Sequence, residues 1–188
     1  MKKRITFFRS MISAAVVSLL LLLIPFIAMQ CTTEVNWRAA DFLIMGMLLL
    51  GTLTAFIWLY RNTTSILFTV ASAAAVGCTF VMIWANLAVG LIGAGPHAGN
   101  LMFTGIVLLV VIGAIRSGFT AAGLEQTMYA AALGVLVIMV IALLSSMDQY
   151  PGSSAKEIIG VCSAFAAGYT IAGSLFHIAG KRRPVKSI

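Results

Sequence analysis

WANLAVGLIGAGPHAGNLM, residues 84–102, decides how this chain is read. Its two ends are apolar and its centre is rich in glycine, so it reads as the join between two membrane helices. Asn86 stands about one turn before the end of the first helix. An unpaired amide in hydrocarbon costs several kcal/mol, so Asn86 must face protein or water. Asn100 stands where the second helix begins and is expected to cap it. Between them lie Gly93, Gly95 and Gly99, which permit backbone angles closed to other residues, and His97, one of only 2 histidines in the chain.

The rest of the chain places this hairpin in a bilayer. It has 188 residues, of which 61% are hydrophobic and 9% charged, with a mean hydropathy of +1.07. Soluble domains carry about a quarter charged residues. Apolar runs near or above ~18 residues indicate membrane-spanning helices, whereas barrel strands alternate over about 10 residues. The expected fold is all-α, a polytopic transmembrane bundle of six spans forming one domain over residues 1–188. The spans are expected at residues 11–29, 42–60, 66–90, 101–115, 121–144 and 158–179.

Local signals set the ends. Asp41 precedes the second run and can cap it, with Trp37 and Arg38 at one interface and Trp58 and Tyr60 at the other. The third run, at about 25 residues, is long enough to tilt, and its ASAAAVG segment offers a smooth packing face. The fourth is short: residues 101–115 cover about 22 Å, against a hydrocarbon core of about 30 Å. Either Arg116 snorkels and the helix extends, or the preceding loop dips into the membrane. Thr120 is expected to cap the fifth helix. Pro151-Gly152 marks a turn, and Ser154 with Glu157 makes a capping box before the sixth helix. Gly160, Ala164, Gly168 and Ala172 recur every four residues and read as a helix-packing stripe.

Charge placement gives orientation. Lys2, Lys3, Arg4, Arg9, Arg61, Arg116, Lys181, Arg182, Arg183 and Lys186 fall on one side, and only Arg38 and Lys156 on the other. Such a bias places both termini in the cytoplasm. The net charge of +7 therefore reads as a topology signal and not as a nucleic-acid surface. The basic termini suit anionic lipid headgroups, each charge contributing about 1 kcal/mol near the surface. A basic arm before an apolar run also describes a signal peptide. Gln30 makes a poor cleavage site and a poor lipoprotein signal before Cys31, so an uncleaved helix is expected. Cys31, Cys78 and Cys162 show no metal spacing.

Candidate chemistry is sparse. Asn86, Gly93, Gly95, His97, Asn100 and Thr104 could line a cavity or bind a ligand. The plainer reading of Asn86 is an interhelical hydrogen bond, about 0.6 kcal/mol on average. Glycines before a helix N-terminus suit a backbone anion nest, yet no phosphate-loop lysine or strand accompanies them. His97 and His177 fall at opposite membrane faces and cannot share an iron. Glu125 lies at the cytoplasmic entrance of the fifth helix, where an acid could serve proton coupling; the plainer reading is an interfacial residue paired with Arg116 or a helix-start charge. No catalytic motif is present, so no enzyme, cofactor or metal is expected.

The segments AMQCTTEVNWRAADF (28–42) and WANLAVGLIG…NLM (84–102), with the RSGF turn and the SLF near the C-terminus, resemble a group of small bacterial inner-membrane proteins with no assigned activity. The resemblance implies a whole-chain fold and an inner-membrane location, and no mechanism. Members tend to carry acidic residues between the positions of Gly93 and Asn100, where this chain has AGPHA. The expected function is a non-enzymatic structural or accessory membrane component, alone as a homo-oligomer or in a larger membrane complex. The alternative is a small transporter or channel with its site at the hairpin of the third and fourth helices, because short or broken helices mark such sites.

Overall fold

A computed structural model describes residues 2–32, 36–63, 65–93 and 97–181; the side chains of residues 2–8 and of Ala98 lie outside that description. Among the described residues there are six α-helices, one 3-10 turn at Met147–Gln149 and no strand. The helices are α1 (Lys2–Cys31), α2 (Ala39–Arg61), α3 (Ile66–Ala88), α4 (Ala98–Arg116), α5 (Ala121–Leu144) and α6 (Ala155–Lys181). Each is long and apolar enough to cross a membrane. Their outward faces remain apolar, with Leu144 82% exposed and Ile66 81% exposed. Helices that are hydrophobic all round need lipid or protein as their solvent. The chain is a multi-pass membrane protein by this measure.

The chain divides into two compact units, Met1–Arg61 and Asn62–Ile188. In the first, α1 and α2 form a hairpin. A Cβ at Gly46 would lie 3.5 Å from Leu22, and Trp37 meets Phe42 edge to face at 5.2 Å. Helix α1 starts at Lys2, well before the expected residue 11, because nothing in the basic arm breaks the helical pattern. Helix α2 starts at Ala39, before Asp41. Asp41 therefore does not cap from outside. Its Oδ2 reaches back to accept the Arg38 backbone N–H at 2.7 Å, the acidic half of a capping box.

In the second unit α6 packs against both α3 and α5, and α4 packs against α5, touching α3 more briefly. The core is built from Met82, Phe103, Met128, Val135, Ile158, Cys162, Tyr169 and Phe176, all nearly inaccessible. Phe68 and Phe176 pack edge to face at 5.2 Å. Five serine and threonine hydroxyls at membrane depth in this unit are satisfied within their own helices. Ser72, Thr79, Thr127, Thr170 and Ser174 each donate to the carbonyl four residues earlier at 2.8 Å, as a medium without water requires. Tyr169, fully buried, lies 3.1 Å from Thr79 Oγ1. The Thr79 proton is already engaged, so the tyrosine donates.

Ser65, which the sequence reading does not single out, caps α3 by accepting the Phe68 N–H at 3.3 Å. Two other ends follow the sequence. Thr120 caps α5 by accepting the Gly123 N–H at 3.2 Å. Ser154 accepts the Glu157 N–H at 3.2 Å. Helix α6 extends beyond the expected 158–179 at both ends. Two ends differ where they matter most. Helix α3 stops at Ala88, not at Gly90, because Gly90 takes a left-handed φ of +82° that ends a helix cheaply only at glycine. Helix α4 starts at Ala98, so it has 19 residues and covers about 28 Å. It is not short, and it matches the hydrocarbon core.

Candidate functional site

The hairpin between α3 and α4 is held by two asparagines. Asn86, half-buried on α3, donates from Nδ2 to the Asn100 backbone carbonyl at 3.1 Å. Asn100, in the first turn of α4, is buried. Its Oδ1 accepts the backbone N–H groups of Leu91 and Ile92, each at 2.9 Å. Asn100 therefore does not cap α4. The capping position is His97, extended at φ −106° and without a side-chain cap bond. The reason is local: where α3 ends, the next N–H groups lose their helical acceptors, and Leu91 and Ile92 are buried. The Asn100 carboxamide supplies the missing acceptor. One acceptor of the pair is left over, since Asn86 Oδ1 is buried without a hydrogen-bond partner.

The loop residues seat this clasp. Gly93 has φ +70°, and a Cβ there would lie 3.2 Å from both His97 and Tyr150. The His97 and Tyr150 rings stack at 4.9 Å with 20° between their planes. A Cβ on Gly99 would come within 3.1 Å of the Met147 sulfur. The α3–α4 loop thus rests on the α5–α6 loop, which is the job these glycines and His97 perform in the fold. Gly95 lies outside the described residues. Thr104 is exposed on α4 and does not join Asn86, Asn100 and His97. A groove of about 370 Å³ lies elsewhere, between α4 and α5, lined by Leu109, Ile112, Gly113, Gln126, Thr127 and Ala130.

Only half of the four-residue stripe packs within the chain. A Cβ on Gly168 would lie 2.9 Å from Cys78 Sγ, and Ala172 is fully buried. Gly160 meets nothing within 4 Å, and Ala164 is exposed. A strict four-residue repeat outruns the 3.6-residue turn by about 40° per step, so the stripe slides off the contact face. The face that packs includes Ile158, Cys162, Ala166, Tyr169, Ala172, Phe176 and Ala179, spaced by a mixture of three- and four-residue steps.

One contact was not anticipated from the sequence. Glu125 pairs with His177, not with Arg116: Oε1 lies 2.8 Å from His177 Nδ1, with the side chains 23% and 43% exposed respectively. One turn further along the same α5–α6 seam, Tyr129 OH lies 3.2 Å from Ser174 Oγ. Ser174 donates its proton to the Thr170 carbonyl, so Tyr129 is the donor here. Gly173 opens the seam, since a Cβ there would touch the Tyr129 ring at 3.0 Å. A signal was available. In an antiparallel hairpin, residues equally far from the turn meet, and Glu125 and His177 each stand about 20 residues from it. Among the described residues no three His, Cys, Asp or Glu side chains gather as a metal site.

No protein-family model, no curated protein and no solved structure matches this chain.

Proposed function

We propose that this protein is a non-enzymatic, multi-pass component of a bacterial inner membrane, structural or accessory in role, with both termini in the cytoplasm. The observation that carries the reading is the Asn100 carboxamide. Its Oδ1 is engaged by the Leu91 and Ile92 N–H groups, and the Asn86 amide donates back to the Asn100 backbone. Apart from Asn86 Oδ1, the carboxamide groups that a transport site at this hairpin would present to a substrate are engaged in closing the loop. The ten-to-two charge bias supports the orientation, and the basic termini suit anionic lipid. Association into a homo-oligomer or a larger membrane complex completes the proposal.

The second reading is a small transporter or channel with its site at the same hairpin. Asn86 Oδ1, buried and without a partner, favours it, because an unused acceptor could face a transported donor or water. Reconstitution with Asn86→Leu separates the two. On the structural reading, the variant unfolds more readily, no flux depends on it, and crosslinking in native membranes captures a stoichiometric complex. A flux that vanishes while the variant stays as stable as the parent would replace the structural reading with the transport one.

A further inference from the structure

We propose that Glu125 and His177 form a proton-binding site on the α5–α6 seam, a property independent of the structural role above. Both residues lie inside helices that can span the membrane, Ala121–Leu144 and Ala155–Lys181. Glu125 stands in the second turn of α5 and His177 one turn before the end of α6, so the contact lies near the ends of the spans, where protons can reach an imidazole whose ordinary range is close to neutral pH. The geometry suits one proton. With Nδ1–H of a neutral His177 donating to the Glu125 carboxylate across 2.8 Å, the pair carries one negative charge. His177 Nε2 makes no hydrogen bond among the described residues and the ring is 43% exposed, so an arriving proton adds to Nε2. No bond breaks, Nδ1–H stays on the carboxylate, and the pair becomes an imidazolium–carboxylate with no net charge. Glu125, only 23% exposed, holds the partner charge on the protein side.

The surroundings leave this pair as the centre of the response. On α5, Tyr129 stands one turn away and is already donating to Ser174. On α6, Lys181 stands one turn beyond His177. Helix α4 contributes Arg116 at its exposed end, and the first turn of α3, residues 66–69, contains no ionisable side chain. The Tyr129–Ser174 pair is a neutral hydrogen bond and provides a built-in control. A charged pair gains strength when the second charge appears; a neutral one does not.

The test is a double-mutant cycle in lipid nanodiscs, with Glu125→Gln, His177→Gln and the double variant, unfolded thermally at pH ~5.5 and pH ~8.5, either side of the ordinary histidine range. The coupling between the two residues is expected to be larger at the lower pH, raising the parent's Tm against the cycle by about 2–4 °C more than at the higher pH. The Tyr129→Phe and Ser174→Ala cycle is expected to show no such change. A Glu125–His177 coupling that is the same at both pH values would reduce the pair to an ordinary hydrogen bond and overturn the proposal. If a Gln variant does not fold, the parent alone decides: in nanodiscs the His177 ring, read by NMR with isotope-labelled histidine, is expected to be the doubly protonated imidazolium at pH ~5.5 and neutral with Nδ1–H retained at pH ~8.5. A His177 ring in the same protonation state at both pH values would equally end the proposal.

Discussion

Asn100 does more for this protein than any other polar side chain in the hairpin. It satisfies two buried N–H groups with one oxygen. Leaving a buried donor unsatisfied costs about 1–3 kcal/mol. Asn100→Ala is therefore expected to lower stability by about 2–5 kcal/mol, since both groups are orphaned. Asn86→Leu removes one interhelical bond and one unpartnered oxygen, so its cost is expected near the average of about 0.6 kcal/mol for such bonds. Unfolding titrations with sodium dodecyl sulfate in mixed micelles can rank the two. If Asn86→Leu proves the more damaging, the two N–H groups do not depend on Asn100.

At the scale of helix pairs, glycines divide by what stands opposite them. A Cβ on Gly113 of α4 would lie 2.6 Å from Thr127 Cγ2 and 2.7 Å from its Oγ1. Thr127 is buried and pinned by its bond to the Gly123 carbonyl at 2.8 Å, so it cannot turn away. Gly113→Ala is expected to force α4 from α5 and to cost about 1–3 kcal/mol. Gly134 faces the tip of Ile106 at 2.7 Å, a flexible end that can move, so Gly134→Ala should cost less. Gly160 faces open space. Gly160→Ala is expected to leave the isolated chain's stability unchanged or slightly raised, because alanine favours helix over glycine by up to about 1 kcal/mol. The same unfolding assay reads all three. A large loss at Gly160 alone would mean that a second copy or another protein packs on that face.

For the molecule as a whole, six helices and a lopsided charge distribution make one topological prediction. Helix α6 is 27 residues long, about 40 Å, more than the hydrocarbon core, so its ends must emerge on opposite sides. Cysteines at Lys156 and at Ser187, in a background with exposed Cys31 replaced by Ser, are expected to react with an impermeant maleimide from outside and from inside the cell respectively. Reaction of both from outside would refute the positive-inside assignment and the six-span arrangement together.

Hydrophobic content and run length by themselves determined that this chain is six apolar helices. A backbone in lipid has few ways to satisfy its own hydrogen bonds. Thr120 and Ser154 were legible as caps because a cap lies within a few residues of the groups it satisfies. The roles of Asn100, Glu125 and His177 were decided only by tertiary structure. Asn100 was assigned to its own helix, but the needier donors stood eight and nine residues away, on the far side of a turn whose path no local rule fixes. Glu125 and His177 are 52 residues apart and meet because α5 and α6 pack antiparallel in a particular register. The small-residue stripe shows the same limit: spacing nominates a face, but the rotation of the packed helix chooses which residues on it touch anything.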